Sequence, residues 1–216
     1  MRQKLADAIG GTVRQRAERE LRDRILTGAL PAGARLDLDG ICEEFGISRT
    51  PVREALLELS FQGLVEIAPR SGVKVIGATP GETLDNFAIL ATLSGKAAEW
   101  SARRITPDAL EELAKITGTL AVTPPGSELI DANWRFHHIV NTSAGVPHLL
   151  PLLRQALRLV PSNFLAVIPV HNQREHDELL DCLRQRDAAR ARTVAEQHVL
   201  AAGEALTDWL RTREQL

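Results

Sequence analysis

Cysteine is scarce: Cys42 and Cys182 are the only two among 216 residues, they lie far apart, and they match no metal or redox spacing. Both are read as reduced, partly buried thiols. No apolar stretch reaches the roughly 18 to 20 residues that a bilayer-crossing helix needs. The opening Met-Arg-Gln-Lys-Leu is not followed by the apolar core of a signal peptide, so the cytoplasm is the expected compartment. An excess of charge is missing too. The net charge is −2, and residues 1–78 carry 12 Lys and Arg against 11 Asp and Glu, so nucleic-acid binding must rest on a local patch. His-Glu-x-x-His, a nucleophile motif and a phosphate-cradling Gly loop are all absent, which argues against an enzyme. Internal repeats and low-complexity tracts are also absent. The 44% hydrophobic content is enough for one large core or two small ones.

Periodicity divides what is present. Val13, Ala17, Leu21, Ile25 and Leu26 recur at helical spacing up to about Thr27, with Gly28 as a C-cap and Leu30-Pro31-Ala32-Gly33 as a turn. A short helix is predicted from about Asp39 to Phe45, ended by Gly46, and a third from an N-cap at Ser48 to about Gln62. Then Leu64–Ile67 and Val73–Ile76 alternate around Ala68-Pro69-Arg70-Ser71-Gly72 and read as a two-stranded hairpin. Three helices followed by a hairpin make a winged helix-turn-helix over residues 1–77. Residues 78–81 read as a linker. Over residues 82–216, helices are expected at about 81–103, 107–121, 127–144, 147–166, 171–186 and 188–212, with breaks at Thr106-Pro107-Asp108 and Pro124-Pro125-Gly126-Ser127. The expected class is mainly α, with the second part an all-α antiparallel six-helix bundle.

The third predicted helix opens Ser48-Arg49-Thr50-Pro51-Val52-Arg53-Glu54. Arg49 and Arg53 are four apart, hence on one face, and each can fork onto guanine O6 and N7 or onto phosphate. Ser48 and Thr50 offer hydroxyls for phosphate contact at a positive helix N-terminus. Two Arg four apart on an arbitrary helix more often form a solvated face. Here Val52, Ala55, Leu56 and Leu59 form the apolar face opposite them, and the hairpin follows at once. Its tip carries Arg70 and Gly72, and an Arg placed there can enter the minor groove.

The run Gly28-Ala29-Leu30-Pro31-Ala32-Gly33-Ala34-Arg35-Leu36, followed by Gly46-Ile47-Ser48-Arg49-Thr50-Pro51-Val52-Arg53-Glu54-Ala55-Leu56 and by Gly63-Leu64-Val65, resembles the GntR family of bacterial regulators over residues 12–77. The resemblance implies a homodimer on a palindromic operator, with Arg49 and Arg53 reading bases and with Arg35, Ser48, Thr50, Arg70 and Gly72 completing the DNA-contacting set. It also implies repression relieved by an effector, the commoner arrangement. Asp39 departs from members that carry a basic DNA-contacting residue there, so the second helix is expected to add little to readout.

All six His residues fall between 137 and 198. Asn133 and His137 share a helix face, and His176 and His198 lie on two later predicted helices. Taken singly, each His reads as a surface residue or a hydrogen-bonded core residue. Brought together, one oxygen and three imidazoles suit a divalent transition metal with open positions, Zn or Ni first. The segment Asn133-Trp134-Arg135-Phe136-His137, with Ser143-Ala144-Gly145, Glu175-His176 and His198, resembles the FCD ligand-binding domain of the FadR subgroup over residues 82–208. That resemblance implies a metal held by Asn133, His137, His176 and His198 that helps to bind a small organic acid. His138, His148 and His171 do not match the pattern. Asn133 stands where many members carry Asp; its neutral amide implies weaker metal binding and leaves the full charge of a divalent ion to favour an anionic effector. Leu90 and Ser94 stand where many carry Arg and Glu, which points to an effector less polar than the usual small acids. Two other classes compete with this reading. One is a metal-dependent enzyme using Asp131, Glu175, Asp177 or Glu178 as acid or base; the other is an architectural DNA-binding dimer with no effector.

Overall fold

The computed structural model describes residues 11–68, 72–162 and 173–214. The chain divides into two compact units, residues 1–79 and 80–216.

In the first unit α1 spans Val13–Leu26. Thr12 starts it with a capping box: its Oγ1 accepts from the Gln15 backbone N–H (3.3 Å), while Gln15 Oε1 accepts from the Thr12 N–H (2.8 Å). The helix-turn-helix proper is α2, Leu38–Phe45, and α3, Arg49–Phe61. Gly46 ends α2 in the left-handed region (φ 64°), a conformation that costs a residue with a Cβ. Leu21 and Ile25 of α1, Val52, Leu56 and Leu59 of α3, and Val65, Val73 and Val75 close one apolar core. The predicted two-stranded hairpin is a three-stranded antiparallel sheet: β1 (Arg35–Leu36), β2 (Val65–Ala68) and β3 (Gly72–Val75), in the order β1-β3-β2. β1 pairs Arg35 with Lys74 and Leu36 with Val73. Two residues are too short to show a period of two, so periodicity passed over this strand.

The second unit is helical among its described residues: α4 (Pro80–Arg104), α5 (Pro107–Val122), α6 (Ser127–Ser143), α7 (Leu149–Leu157), α8 (Gln173–Arg184) and α9 (Ala188–Glu214). Pro80 sits in the first turn of α4, where its missing N–H is harmless. The long helices α4 and α9 approach closely because residue 203 is Gly. A Cβ there would lie 2.5 Å from Phe87 Cβ. Arg186, at φ 56°, sends its guanidinium back to the C-terminal end of α4, donating to the carbonyls of Ala102 (3.2 Å) and Ile105 (3.0 Å). The helix expected over 147–166 stops at Leu157. Pro161 cannot donate to the Leu157 carbonyl, and its ring crowds that carbonyl. The end of that expected helix, from residue 163, lies outside the described residues.

Candidate functional site

In the first unit, Ser48 is the N-cap of α3 by position, with no side-chain cap bond, and Arg49, Thr50 and Arg53 follow it, all exposed. Val52, Ala55, Leu56 and Leu59 bury the opposite face. Arg35 is exposed on β1, and Gly72 is exposed at the start of β3 (φ 82°). Arg70 lies outside the described residues. Two features escaped the sequence reading. Lys74 stands opposite Arg35 in the ladder, so the two side chains share a sheet face. The alternation Val73-Lys74-Val75 already marked Lys74 as outward. The other feature is Asp39. Its carboxylate accepts from both Nε (2.7 Å) and Nη2 (2.6 Å) of Arg49.

The second unit holds a partly open cavity of about 620 Å³. Phe87, Leu90 and Ser94 of α4, Leu150, Leu153 and Leu157 of α7, and Val199 and Ala202 of α9 line it beside Asn133, His137, His176 and His198. Helical spacing places Asn133 one turn before His137 on α6. The three imidazoles come from α6, α8 and α9. Their ring centroids are 5.4 Å apart for His137 and His176, 5.1 Å for His137 and His198, and 4.6 Å for His176 and His198. One nitrogen from each lies within 4.8 Å of the others. Fully buried Phe136 packs edge-on against His176 (4.8 Å) and His137 (5.6 Å), which fixes the planes of both rings.

Burial, with a smaller contribution from neighbouring His198, pushes the His137 pKa down to about 3. Its imidazole is therefore neutral at physiological pH, the form that offers a lone pair. His198 Nδ1 lies 2.7 Å from Glu175 Oε2. A carboxylate only accepts, so Nδ1 is the donor, and in the neutral tautomer this leaves the lone pair on Nε2. This carboxylate puts one negative charge against the His cluster, beside the neutral amide of Asn133 on the cavity wall. Of the acidic residues weighed as acid or base, only Glu175 lines the cavity, and it is committed to His198. Asp177 accepts from Gln173 (2.9 Å) and Glu178 pairs with Arg190 (2.8 Å). His138 lines the cavity, His148 precedes α7 outside it, and His171 lies outside the described residues. Both cysteines are free.

Two family models match the chain: the bacterial regulatory proteins of the gntR family over residues 13–75, and the FCD domain over residues 85–201. The chain belongs to the GntR family and carries an FCD domain. The HTH-type transcriptional regulator McbR of Escherichia coli is 29% identical over 181 residues, 79% of this chain and 81% of McbR. The solved McbR structure superposes with a TM-score of 0.67 at 23% identity, covering 92% of this chain and 98% of that one, a likeness of fold. A GntR family transcriptional regulator from Pseudomonas syringae pv. tomato has a TM-score of 0.59 at 25% identity, covering 94% of this chain and 88% of that one. This GntR protein is a DNA-binding transcription regulator modulated by a small molecule, and not an enzyme. No helix among its described residues is long and apolar enough to cross a membrane.

Proposed function

We propose that this regulator is a cytoplasmic homodimeric repressor. Residues 1–77 contact a palindromic operator, residues 78–81 link, and residues 82–216 hold an organic acid in a metal-containing pocket. The observation that carries the reading is the convergence of His137, His176 and His198 on the wall of a mostly apolar cavity. The donor set suits a divalent transition metal, Zn or Ni: borderline imidazole donors from three helices, joined on the cavity wall by the amide of Asn133. The bound ion supplies a positive charge for a carboxylate in a low-dielectric cavity.

The chain's own residues do the rest. Phe136 holds two of the rings, and Glu175 fixes the tautomer of the third. Leu90 and Ser94 bring no charge from α4, and with Phe87, Leu153 and Leu157 they favour an acid whose body is apolar. On the DNA side, Arg49 and Arg53 read base edges, Ser48 and Thr50 contact phosphate, and Arg35, Arg70 and Gly72 complete the contacting set, with Arg70 entering the minor groove. The effector acts through a different affinity for the dimer's two arrangements, so only a differential interaction shifts operator binding.

The test is operator affinity by fluorescence anisotropy, on duplexes enriched from a random pool, with a panel of apolar-bodied carboxylic acids. At least one acid should weaken binding, and a chelator should remove that response while basal DNA affinity persists. An acid response that survives verified removal of the metal would sink the metal's part in sensing.

A further inference from the structure

The second helix of the helix-turn-helix was expected to add little to readout because Asp39 replaces a base. The geometry points to another role. Arg49 is forked onto Asp39 through Nε (2.7 Å) and Nη2 (2.6 Å), with the two side chains 70% and 61% exposed. A guanidinium is planar and carries five N–H donors. Occupying the Nε–Nη2 edge leaves the distal edge, one Nη1–H and the second Nη2–H, as a parallel pair. That pair matches the O6 and N7 acceptors of guanine in the major groove. Asp39 is itself anchored: its backbone N–H donates to the Asp37 N-cap carboxylate (3.1 Å), in the first turn of α2.

We infer that Asp39 is a positioning residue that locks Arg49 into one rotamer with its distal fork presented to a guanine. The inference rests on the reading that Arg49 contacts a base. The locked pair restricts a long side chain before DNA arrives, so less rotamer entropy is lost on binding. The same carboxylate is a liability against phosphate, because it places a negative charge on the DNA-facing side of the motif. Asp39 should therefore reduce affinity for DNA that lacks the matching guanine while raising discrimination at one base pair. An ordinary surface ion pair would change affinity and leave discrimination alone.

The experiment compares wild type, Asp39→Asn, Arg49→Ala and the double variant. It uses duplexes enriched from a random pool by the wild-type protein, with each base pair then substituted in turn. Asp39→Asn should bind random-sequence DNA more tightly. It should also lose about two- to tenfold of its discrimination at a single base pair, the range set by immobilising one flexible side chain. Arg49→Ala should lose discrimination at that same pair, and Asp39→Asn should add nothing in the double variant. If Arg49→Ala loses discrimination at one pair and Asp39→Asn keeps it in full, the positioning role is wrong and the base contact stands. If Arg49→Ala keeps it as well, the base contact falls and the positioning role falls with it. Helical circular dichroism on each variant confirms that these exposed substitutions leave the fold in place.

Discussion

Removing the Glu175 carboxylate should weaken the proposed metal site without emptying it. The carboxylate meets His198 Nδ1 at 2.7 Å, and the two side chains are 24% and 16% exposed, so the bond is shielded from water but not dry. A hydrogen bond to a charged group in such a setting contributes about 1.5 to 3 kcal/mol. That corresponds to roughly 10- to 100-fold in affinity, the range found for carboxylates that orient metal-binding His residues. Glu175→Ala should thus bind zinc about 10- to 100-fold more weakly. Glu175→Gln, whose amide oxygen still accepts from Nδ1–H but carries no charge, should fall between that variant and wild type. The assay is competition for zinc against a chromophoric chelator at fixed pH, with circular dichroism to confirm the helices. Wild-type affinity in Glu175→Ala would refute the argument, since His198 would then need no partner to present Nε2.

Three further outcomes follow from the same geometry. Phe136→Ala removes a fully buried ring and should cost about 3 to 5 kcal/mol of stability by denaturant titration; a cost below about 1 kcal/mol would mean the His rings do not rest on a packed floor. His137 has a folded pKa of about 3, below its unfolded value, so the unfolded chain binds the extra proton. Metal-free protein should therefore lose stability as the pH falls from about 6.5 towards 3, by at most about 1.4 kcal/mol per pH unit for this one group, and show none of this loss above about 7. Urea midpoints flat across that window would show that His137 is not held neutral. Asn133→Asp should tighten metal binding and weaken an anionic effector, because it adds a negative charge to the site; calorimetry showing the acid bound more tightly by this variant would show that metal occupancy, and not charge, limits effector binding.

Much of the architecture is legible from local patterns. The recognition helix announces itself through Ser48, Pro51 and the apolar face of Val52, Leu56 and Leu59, and Pro107 opens α5 behind the Thr106 N-cap. What escaped is non-local or short. β1 is two residues long and exists only because β3 pairs with it. The early end of α7 was readable from Pro161, four residues after Leu157, but the apolar run around it masked the signal. Residue type singled out Asn133, His137, His176 and His198, and the resemblance implied that they act as one set. Spacing alone placed Asn133 beside His137 and could not bring α6, α8 and α9 together. The pairs Glu175 with His198 and Asp39 with Arg49 join residues 23 and 10 positions apart, beyond the reach of any helical period. Both changed the charge accounting of their sites.

His137, His176 and His198 are proposed to form one metal site inside the effector cavity. Its most direct test is elemental analysis after dialysis of purified protein against zinc, nickel or manganese and then against metal-free buffer. The wild type should retain about one divalent ion per chain, and His176→Ala none with its helical spectrum retained. Wild-type protein that takes up none of the three ions would make the cluster a polar cavity wall and rule out the metal site.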